Sequence, residues 1–321
     1  MKDKILVLSD PGDPQLPKLE QLSDHADLAV GNSPSAFESN TCDATVLLNW
    51  SASMQLFSGV FRMCPNLKWV HSRSAGLEKT LSPELIASSV PLTNSTGVFS
   101  PSLGEFAVAA ILYFAKDFRR MIRNQIVGVW EAFNVEMVEH RSVGIVGYGD
   151  IGHAVAIRAH ALGMDIFALK RHVSRLNSDP LVRKFFTLDQ IADMFSLCDY
   201  VVVAAPLTEE TRGMIGEAEL TVMKPSAVII NVGRGPVINE QALIQALAKK
   251  SIRGAALDVF DTEPLPKGHP FYTAENVLLS PHCADHTSDW LDNAMDFFIE
   301  QFRRYRLGQQ LLNVVDKKLG Y

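Results

Sequence analysis

Residues 142–152 read SVGIVGYGDIG, a short apolar run followed by the glycine pattern G-x-G-x-x-G and then by a stretch with helical spacing. Gly147 permits a tight turn, Gly149 lets backbone N–H groups approach a ligand, and Gly152 allows a helix to pack closely on a strand. The positive end of that helix favours a diphosphate. Three glycines alone are explained by a structural turn, but the strand before them and the helix after them predict a dinucleotide-binding βαβ unit. The residues expected to contact the dinucleotide here are Gly147, Tyr148, Gly149, Asp150, Ile151 and Gly152.

Short apolar runs recur on both sides of this turn, which is typical of parallel strands buried on both faces. They are Ile5–Leu8, Ala44–Trp50, Lys68–His71, Ser142–Val146, Asp165–Leu169, Tyr200–Ala204, Ala227–Val232, Ala255–Val259 and Val277–Leu279. Helical patterns alternate with them, at Ser102–Met121, Ile151–Leu162, Leu188–Ser196, Asn239–Lys249 and Asp285–Arg306. The alternation predicts an α/β fold with doubly wound parallel sheets, and the number of strands requires two sheets.

The chain is long enough for two domains, because its 321 residues are about twice the usual domain length. One strand series precedes the long predicted helix and a second begins at Ser142. We expect the C-terminal helix to return to the first lobe, which makes that domain discontinuous. One domain would then consist of residues 1–99 with 287–321, and the other of residues 100–286.

Composition limits the function classes. With 47% hydrophobic and 21% charged residues the chain matches globular proteins and excludes disordered and low-complexity classes. The formal charge of −6 disfavours binding to nucleic acid or anionic membranes, so small molecules are the expected partners.

The cysteines and the apolar runs indicate the cellular compartment of the protein. The four cysteines form no C-x-x-C pair, so neither a zinc cluster nor a disulfide framework is expected, and a reducing, cytoplasmic location fits. The apolar run Ile5–Leu8 is too short for a signal peptide. The longest apolar stretch, Phe106–Ala115, is about half of a membrane span.

The end of the second strand after the glycines bears on cofactor choice. An enzyme that uses NAD usually has Asp or Glu there, which binds the ribose 2′-hydroxyl. Here the strand ends in Lys170 and Arg171, while Asp165 lies at its other end. Lys170 or Arg171, helped by Arg175, can bind a 2′-phosphate, although two basic residues at a strand end can also be simple surface. The sequence therefore favours NADP over NAD, with NAD possible.

Three side chains follow successive predicted strands, where open α/β sheets bind their ligands. His282 can exchange a proton with a hydroxyl or carbonyl oxygen near neutral pH. Glu263 can hold the other ring nitrogen and favour the protonated ring, and Arg234 can bind a carboxylate or carbonyl oxygen. Each has a structural explanation when taken singly, but their occurrence together at strand ends indicates hydride-transfer chemistry.

With these residues the chain resembles the D-isomer-specific 2-hydroxyacid dehydrogenase family, from about Trp69 to Asn313. The first 60 or so residues resemble it in strand pattern only. The resemblance rests on the glycine turn, on the segments of Arg234, Glu263 and His282, and on Ser74-Ala75-Gly76, Thr93–Gly97 and Ala205–Thr211.

The resemblance implies a Rossmann-like cofactor domain and a flavodoxin-like substrate domain with a cleft between them. It implies that Arg234 binds the 2-oxo acid, His282 is the acid and base, Glu263 is its partner, and Asp258 contacts the nicotinamide amide. The substrate would also contact Ser74, Ala75 and Gly76. The remaining cofactor contacts would be Pro206, Thr211, Val232, Gly233 and Ala284, besides Arg234 and His282. A homodimer is implied through Ile122–Glu136, for which interdomain packing is the alternative.

Two departures from the family stand out. Asp285 replaces a usually small residue after His282-Cys283-Ala284, and Lys170-Arg171 replaces the NAD-type acid, as in the NADP-using glyoxylate and hydroxypyruvate reductase branch. The leading expectation is reduction of a small 2-oxo acid, of the glyoxylate or hydroxypyruvate type, to the D-2-hydroxy acid. A short phosphoglycerate dehydrogenase, or a cofactor-sensing interaction protein on the same fold, remains an alternative.

Overall fold

The computed structural model describes residues 2–171 and 179–321, so the predicted contribution of Arg175 lies outside the described residues. It divides into two compact units, Met1–Phe99 with Ser288–Tyr321, and Ser100–Thr287. The functional division expected from the sequence, residues 1–99 with 287–321 and residues 100–286, stays a prediction. Each unit contains one parallel sheet, so the predicted fold class is confirmed.

The strands of the first unit are β1 Asp3–Leu8, β2 Ala26–Gly31, β3 Val46–Asn49, β4 Trp69–Ser72 and β5 Leu92–Asn94. They pair in parallel in the order β2-β1-β3-β4-β5, which is the flavodoxin-like order. The strands of the second unit are β6 Ser142–Val146, β7 Asp165–Leu169, β8 Val182–Phe186, β9 Tyr200–Val203, β10 Val228–Asn231, β11 Gly254–Leu257 and β12 Val277–Leu279. Their parallel order is β12-β11-β10-β9-β6-β7-β8, a Rossmann-like arrangement.

The described helices, in chain order, are α1 Met54–Met63, α2 Pro83–Ala87, α3 Ser100–Ala115, α4 Phe118–Val127, α5 Asp150–Ala161, α6 Ile191–Leu197, α7 Glu217–Val222, α8 Glu240–Ala248 and α9 Trp290–Arg306. None in residues 2–171 and 179–321 is long and apolar enough to cross a membrane.

The first unit is held together by strands that are apolar on both faces. Ile5–Leu8 of β1 are fully buried, because helices or loops cover both sides of a sheet of this kind. The C-terminal helix α9 belongs to this unit. Its Phe298 and Tyr305 stack on Trp69 of β4, each with ring centroids 5.5 Å apart.

The single helix predicted over Ser102–Met121 is wrong. α3 ends at Ala115 and α4 begins at Phe118, with Asp117 in the left-handed region at φ 50°. The Asp117 carboxylate accepts a hydrogen bond from the Arg120 N–H at 3.3 Å and so caps α4. Apolar residues keep a helical spacing across the break, so periodicity does not show it.

Two further differences concern three strands that the sequence does not predict and the start of the C-terminal helix. The strands β2, β5 and β8 were not predicted, because they are short or carry polar residues in place of a continuous apolar run. Helix α9 begins at Trp290 and not at Asp285. Residues 284–285 form a turn instead, with His286 N–H donating to the Cys283 carbonyl oxygen at 3.0 Å.

Candidate active site

The carboxyl edge of the second sheet collects the predicted cofactor and catalytic segments. Because all its strands are parallel, the turns after β6, β9, β10, β11 and β12 lie at one edge. The chain runs outward from β6 through β7 to β8, and then from β9 outward in the other direction. The crevice beside β6 and β9 is therefore the topological switch point, where such sheets bind ligands.

The glycine turn after β6 leaves no room for side chains at two positions. Gly147 has φ +92°, and a Cβ atom there would lie 2.7 Å from the backbone of Ala205. A Cβ atom at Gly152 would overlap the Gly147 carbonyl oxygen. These close approaches let the turn, the strand and α5 pack together.

Gly149 differs from its two neighbours in the turn. It is exposed, and a Cβ atom there would have nothing within 4 Å. α5 begins at the next residue, so the first N–H groups of that helix, which have no intrahelical acceptor, adjoin this open space. An anionic diphosphate fits this cradle, since it can approach the backbone and the positive helix end.

Tyr148 packs behind the turn and Ile151 lies in the first turn of α5, half-buried. The Tyr148 hydroxyl donates to Asp179 at 2.9 Å. Burial, together with this hydrogen bond, raises the pKa of Tyr148 above its usual range. The phenol therefore stays neutral and serves to hold the turn against the segment around Asp179.

Lys170 and Arg171 follow β7, as expected. The Lys170 ammonium lies 5.4 Å from the Tyr148 ring centroid. Arg171 pairs with Glu210, with Nη2 and Oε1 2.6 Å apart at a largely exposed position. Asp165, at the start of β7, pairs with Arg183 at 2.8 Å. The carboxyl end of β7 therefore presents two cations, of which Arg171 is paired with Glu210.

The loop after β9 is a closed turn. Thr211 Oγ1 donates to the Pro206 carbonyl oxygen at 2.6 Å and accepts from the Thr208 N–H at 2.8 Å. Val232 continues β10 through a hydrogen bond from its N–H to the Val203 carbonyl oxygen. A Cβ atom at Gly233 would lie 2.8 Å from the Ala205 carbonyl oxygen, so the turns after β9 and β10 approach closely.

His282 and Glu263 are in direct contact. The distance from His282 Nδ1 to Glu263 Oε2 is 2.6 Å, a short charge-assisted hydrogen bond. Glu263 Oε1 accepts from the Phe260 N–H at 2.9 Å, so both carboxylate oxygens are held. The His282 side chain is 44% exposed and can present its other ring nitrogen, Nε2, to a substrate.

Asp258 positions this histidine, a function that the sequence analysis missed. Its side chain is buried, and Oδ1 accepts from Ser280 Oγ at 2.5 Å, Cys283 N at 3.0 Å and Ala284 N at 3.1 Å. The carboxylate therefore fixes both sides of the turn that contains His282, whose φ is 52°. The predicted contact of Asp258 with the nicotinamide amide, like that of Ala284 with the cofactor, stays a prediction. An acid directly after a buried strand was the available signal for the positioning function.

Arg234 lies in a turn held by its neighbours. The buried Asn231 donates through Nδ2 to the Arg234 carbonyl oxygen at 3.0 Å and accepts from the Gly233 N–H at 3.0 Å. Arg234 Nη1 donates to the Gly233 carbonyl oxygen at 2.7 Å. A Cβ atom at Gly235 would overlap the Phe260 backbone, so this turn lies against the start of the Glu263 turn.

Asp285 lies beyond the His282 turn, next to His286. Its Oδ1 is 3.7 Å from His286 Nε2. Burial raises the pKa of Asp285, while the charges of His286 and His282 oppose that rise. The Asp285 carboxylate therefore interacts electrostatically with His282 as well as with His286.

Ser74, Ala75 and Gly76 belong to the first unit, where they follow β4. They are half-buried, and Asn94 Nδ2 donates to the Ala75 carbonyl oxygen at 2.8 Å. This side chain at the end of β5 thus stabilises the loop whose amides are predicted to bind the substrate carboxylate.

Comparisons with known proteins identify the family of this chain. Residues 108–284 match the family described as D-isomer specific 2-hydroxyacid dehydrogenase, NAD binding domain. A protein named glyoxylate reductase, from Korarchaeum cryptofilum, is 32% identical over 284 residues, which is 87% of this chain and 84% of the relative. The chain belongs to the D-isomer specific 2-hydroxyacid dehydrogenase family, and the predicted resemblance is confirmed.

Solved structures are similar over the whole chain. A D-isomer specific 2-hydroxyacid dehydrogenase from Xanthobacter autotrophicus, in complex with NADPH and MES, has a TM-score of 0.85 at 31% identity, with 100% of both chains covered. An NADPH-dependent glyoxylate/hydroxypyruvate reductase from Sinorhizobium meliloti, in complex with NADP and sulfate, has a TM-score of 0.83 at 25% identity, again with 100% of both chains covered.

Proposed function

We propose that this protein reduces a small 2-oxo acid to the D-2-hydroxy acid with a nicotinamide cofactor, NADPH being preferred to NADH. The observation that carries the proposal is the 2.6 Å hydrogen bond between His282 and Glu263 at the sheet edge that also holds the glycine turn. Carbonyl reduction by a dinucleotide requires a proton donor close to the site that binds the cofactor diphosphate. His282 and the glycine turn lie at the same edge of the sheet and can supply these two parts. The names of the relatives support the glyoxylate or hydroxypyruvate type of substrate.

The residues divide the chemistry as follows. Glu263 accepts a hydrogen bond from the Nδ1–H group of His282, which orients the ring and stabilises its protonated form. His282 Nε2 then donates its proton to the carbonyl oxygen as this becomes a hydroxyl, and Arg234 binds the carbonyl or carboxylate oxygens. The cofactor, when bound, supplies the hydride that the carbonyl carbon accepts. One hydride and one proton enter, so the 2-oxo acid becomes the 2-hydroxy acid.

The preference for NADPH rests on charge. Lys170 and Arg171 directly follow β7 in the chain, where an enzyme that uses NAD usually has Asp or Glu, and two cations there suit a 2′-phosphate. Two relatives were solved with NADPH or NADP, which supports the same choice. NAD remains a possible cofactor, since the diphosphate cradle serves both.

The proposal also covers the wider assembly. Residues 100–286 would bind the dinucleotide, and residues 1–99 with 287–321 would bind the substrate carboxylate through the amides of Ser74–Gly76. The exposed apolar side chains within Ile122–Glu136 would form a homodimer interface. Cytoplasmic residence is part of the proposal, because Cys42, Cys64, Cys198 and Cys283 are all free thiols.

The test is the His282→Asn variant. We expect kcat for reduction of glyoxylate and hydroxypyruvate by NADPH to fall about 10²- to 10⁴-fold, the usual contribution of a general acid. Binding of NADPH, followed by fluorescence titration, should persist. The matched control is His160→Asn, which changes an exposed histidine of α5 and should retain wild-type turnover. Wild-type protein that binds NADPH but reduces no 2-oxo acid would refute the enzyme and favour the cofactor-sensing alternative.

A further inference from the structure

Arg73 lies in the first unit, between the end of β4 and Ser74. Its backbone N–H donates to the carbonyl oxygen of Asn49, the last residue of β3, at 3.2 Å. The ends of two neighbouring strands thus hold Arg73 at the carboxyl edge of this sheet. That edge also presents the loop proposed to bind the substrate carboxylate.

The Arg73 guanidinium is covered by two indoles. Its central carbon lies 5.3 Å from the ring centroid of Trp50 and 5.8 Å from that of Trp290. Aromatic contacts of this kind use the faces of the planar group and leave its in-plane N–H donors available. Nε is buried without a hydrogen-bond partner among residues 2–171 and 179–321, and the side chain forms no ion pair in that part of the chain.

The charge of Arg73 is only partly balanced. Burial lowers the pKa of the guanidinium, and the charge of Asp13 opposes this effect. Both oxygens of Asp13 are already in use, because Oδ2 accepts from Trp50 Nε1 at 2.9 Å and Oδ1 from the Gln15 N–H at 3.0 Å. Arg73 nevertheless stays protonated. A partly dehydrated cation with unused donors is costly until an anion completes its hydrogen bonds.

We infer that Arg73 is a specificity-determining residue that binds a second anionic group at the far end of the substrate. The inference rests on the proposed reduction of a 2-oxo acid, whose first carboxylate would bind the amides of Ser74–Gly76. Arg73 immediately precedes those amides, so the two anion-binding groups are adjacent in one loop. The planar guanidinium suits a carboxylate or a phosphate, which it can bind with two parallel hydrogen bonds. The substrate class is thus a 2-oxo acid with a distal carboxylate or phosphate.

The experiment compares kcat/KM within matched substrate pairs, so that general losses of activity cancel. Oxaloacetate is compared with 2-oxobutanoate, and 3-phosphohydroxypyruvate with hydroxypyruvate, each with NADPH and the full-length protein. Wild type should favour the anionic member of at least one pair by about 10-fold or more, and Arg73→Met should lower that ratio by about 10- to 100-fold, mainly through KM. Arg73→Lys should restore part of the ratio. The control is Arg62→Met, an exposed arginine of α1, which should leave the ratio unchanged.

Binding is measured in parallel through the fluorescence of Trp50 and Trp290, with D-malate compared with D-2-hydroxybutanoate and D-3-phosphoglycerate with D-glycerate. A larger effect in the phosphate pair or in the carboxylate pair identifies the distal group, and either supports the inference. Reduction of 2-oxo acids without any anionic preference in wild type, or a ratio unchanged in Arg73→Met, overturns the inference and leaves the proposed function standing. If the wild type reduces no 2-oxo acid but binds the anionic ligands selectively, and Arg73→Met loses this selectivity, the proposed function is refuted and recognition by Arg73 is supported. If the wild type has neither turnover nor anion-selective binding, the inference is overturned as well.

Discussion

At the residue scale, the site depends on polar side chains that hold other side chains. Glu263 binds His282 directly, whereas the buried Asp258 acts on the same turn through Ser280, Cys283 and Ala284. Glu263 and His282 are recognisable in the sequence because carbonyl reduction needs an acid of this kind. Asp258 is visible only as an acidic residue after an apolar run, and many residues with a purely structural function occur in the same pattern.

The proposed preference for NADPH depends on two individual cations after β7. The double variant Lys170→Ala/Arg171→Ala should lower kcat/KM for NADPH about 10- to 100-fold, because charge-assisted hydrogen bonds to the 2′-phosphate are lost. The value for NADH should change less than about 3-fold, since NADH has no such phosphate. Lys184→Ala, on neighbouring β8, is the control and should keep the wild-type ratio. Equal losses with both cofactors would contradict the assignment.

The buried His71 of β4 predicts a pH dependence of stability. Burial lowers its pKa from 6.5 to about 3, with Nδ1 bonded to Thr93 Oγ1 at 2.7 Å. Below pH 6.5 the unfolded chain takes up this proton and the folded chain does not. The free energy of unfolding therefore falls as pH decreases from 6.5 toward 3, by up to about 1.4 kcal/mol per pH unit from this group.

Urea unfolding at several pH values between 4.5 and 7 measures this slope. His71→Gln should have a shallower slope than wild type over that range, whatever its stability at neutral pH. The control is His25→Gln, an exposed histidine of the same unit, which should keep the wild-type slope. Parallel slopes for wild type and His71→Gln would show that His71 contributes no linkage.

At the element scale, the glycine turn and α5 form the proposed anion cradle together. The sequence predicted this element within one residue at each end, because the strand, turn and helix are contiguous and their signals are local. The break at Asp117 between α3 and α4 escaped prediction. A single left-handed residue decides it, and the apolar periodicity on both sides is the same.

Two alanine substitutions separate the two functions of the turn. Gly152→Ala should lower stability by about 1–3 kcal/mol, because its Cβ atom would overlap the Gly147 carbonyl oxygen. Gly149→Ala should leave Tm nearly unchanged, since its Cβ atom meets open space, but should weaken NADPH binding by crowding the diphosphate. Calorimetric unfolding and fluorescence titration measure the two effects. A large loss of Tm in Gly149→Ala, with NADPH affinity retained, would contradict the cradle.

At the scale of the whole molecule, the exposed apolar side chains of residues 121–137 are the feature that bears on assembly. Ile126 is 79% exposed and Trp130 fully exposed. Arg119 nevertheless anchors α4 by donating to the Ala274 carbonyl oxygen at 3.1 Å. An anchored segment that leaves large apolar side chains in solvent is typical of a surface that binds a partner.

Trp130 is the most exposed apolar side chain of the proposed homodimer interface. Trp130→Asp should raise the dimer dissociation constant at least about 30-fold, because a buried aromatic anchor is typically worth 2 kcal/mol or more. Sedimentation velocity over a concentration series measures this constant. Ile157→Asp, an exposed apolar residue of α5 outside the segment, should dimerise as wild type does. A wild-type monomer at micromolar concentration, or a variant with unchanged dissociation, would refute the interface.

Sequence alone determined what is local: the strands that are continuous apolar runs, the glycine turn, the residues Lys170 and Arg171 in place of an acid after β7, and the residue types at the strand ends. These features can be predicted from the sequence because the backbone conformation and the periodicity of burial depend on a few neighbouring residues. Only the tertiary structure decided contacts between distant residues that the sequence did not predict: the hydrogen bonds of Asp258 to the His282 turn, and the indoles of Trp50 and Trp290 around Arg73. Such contacts depend on strand order and packing, which place residues far apart in sequence within a few ångströms of each other, and no local pattern encodes that distance.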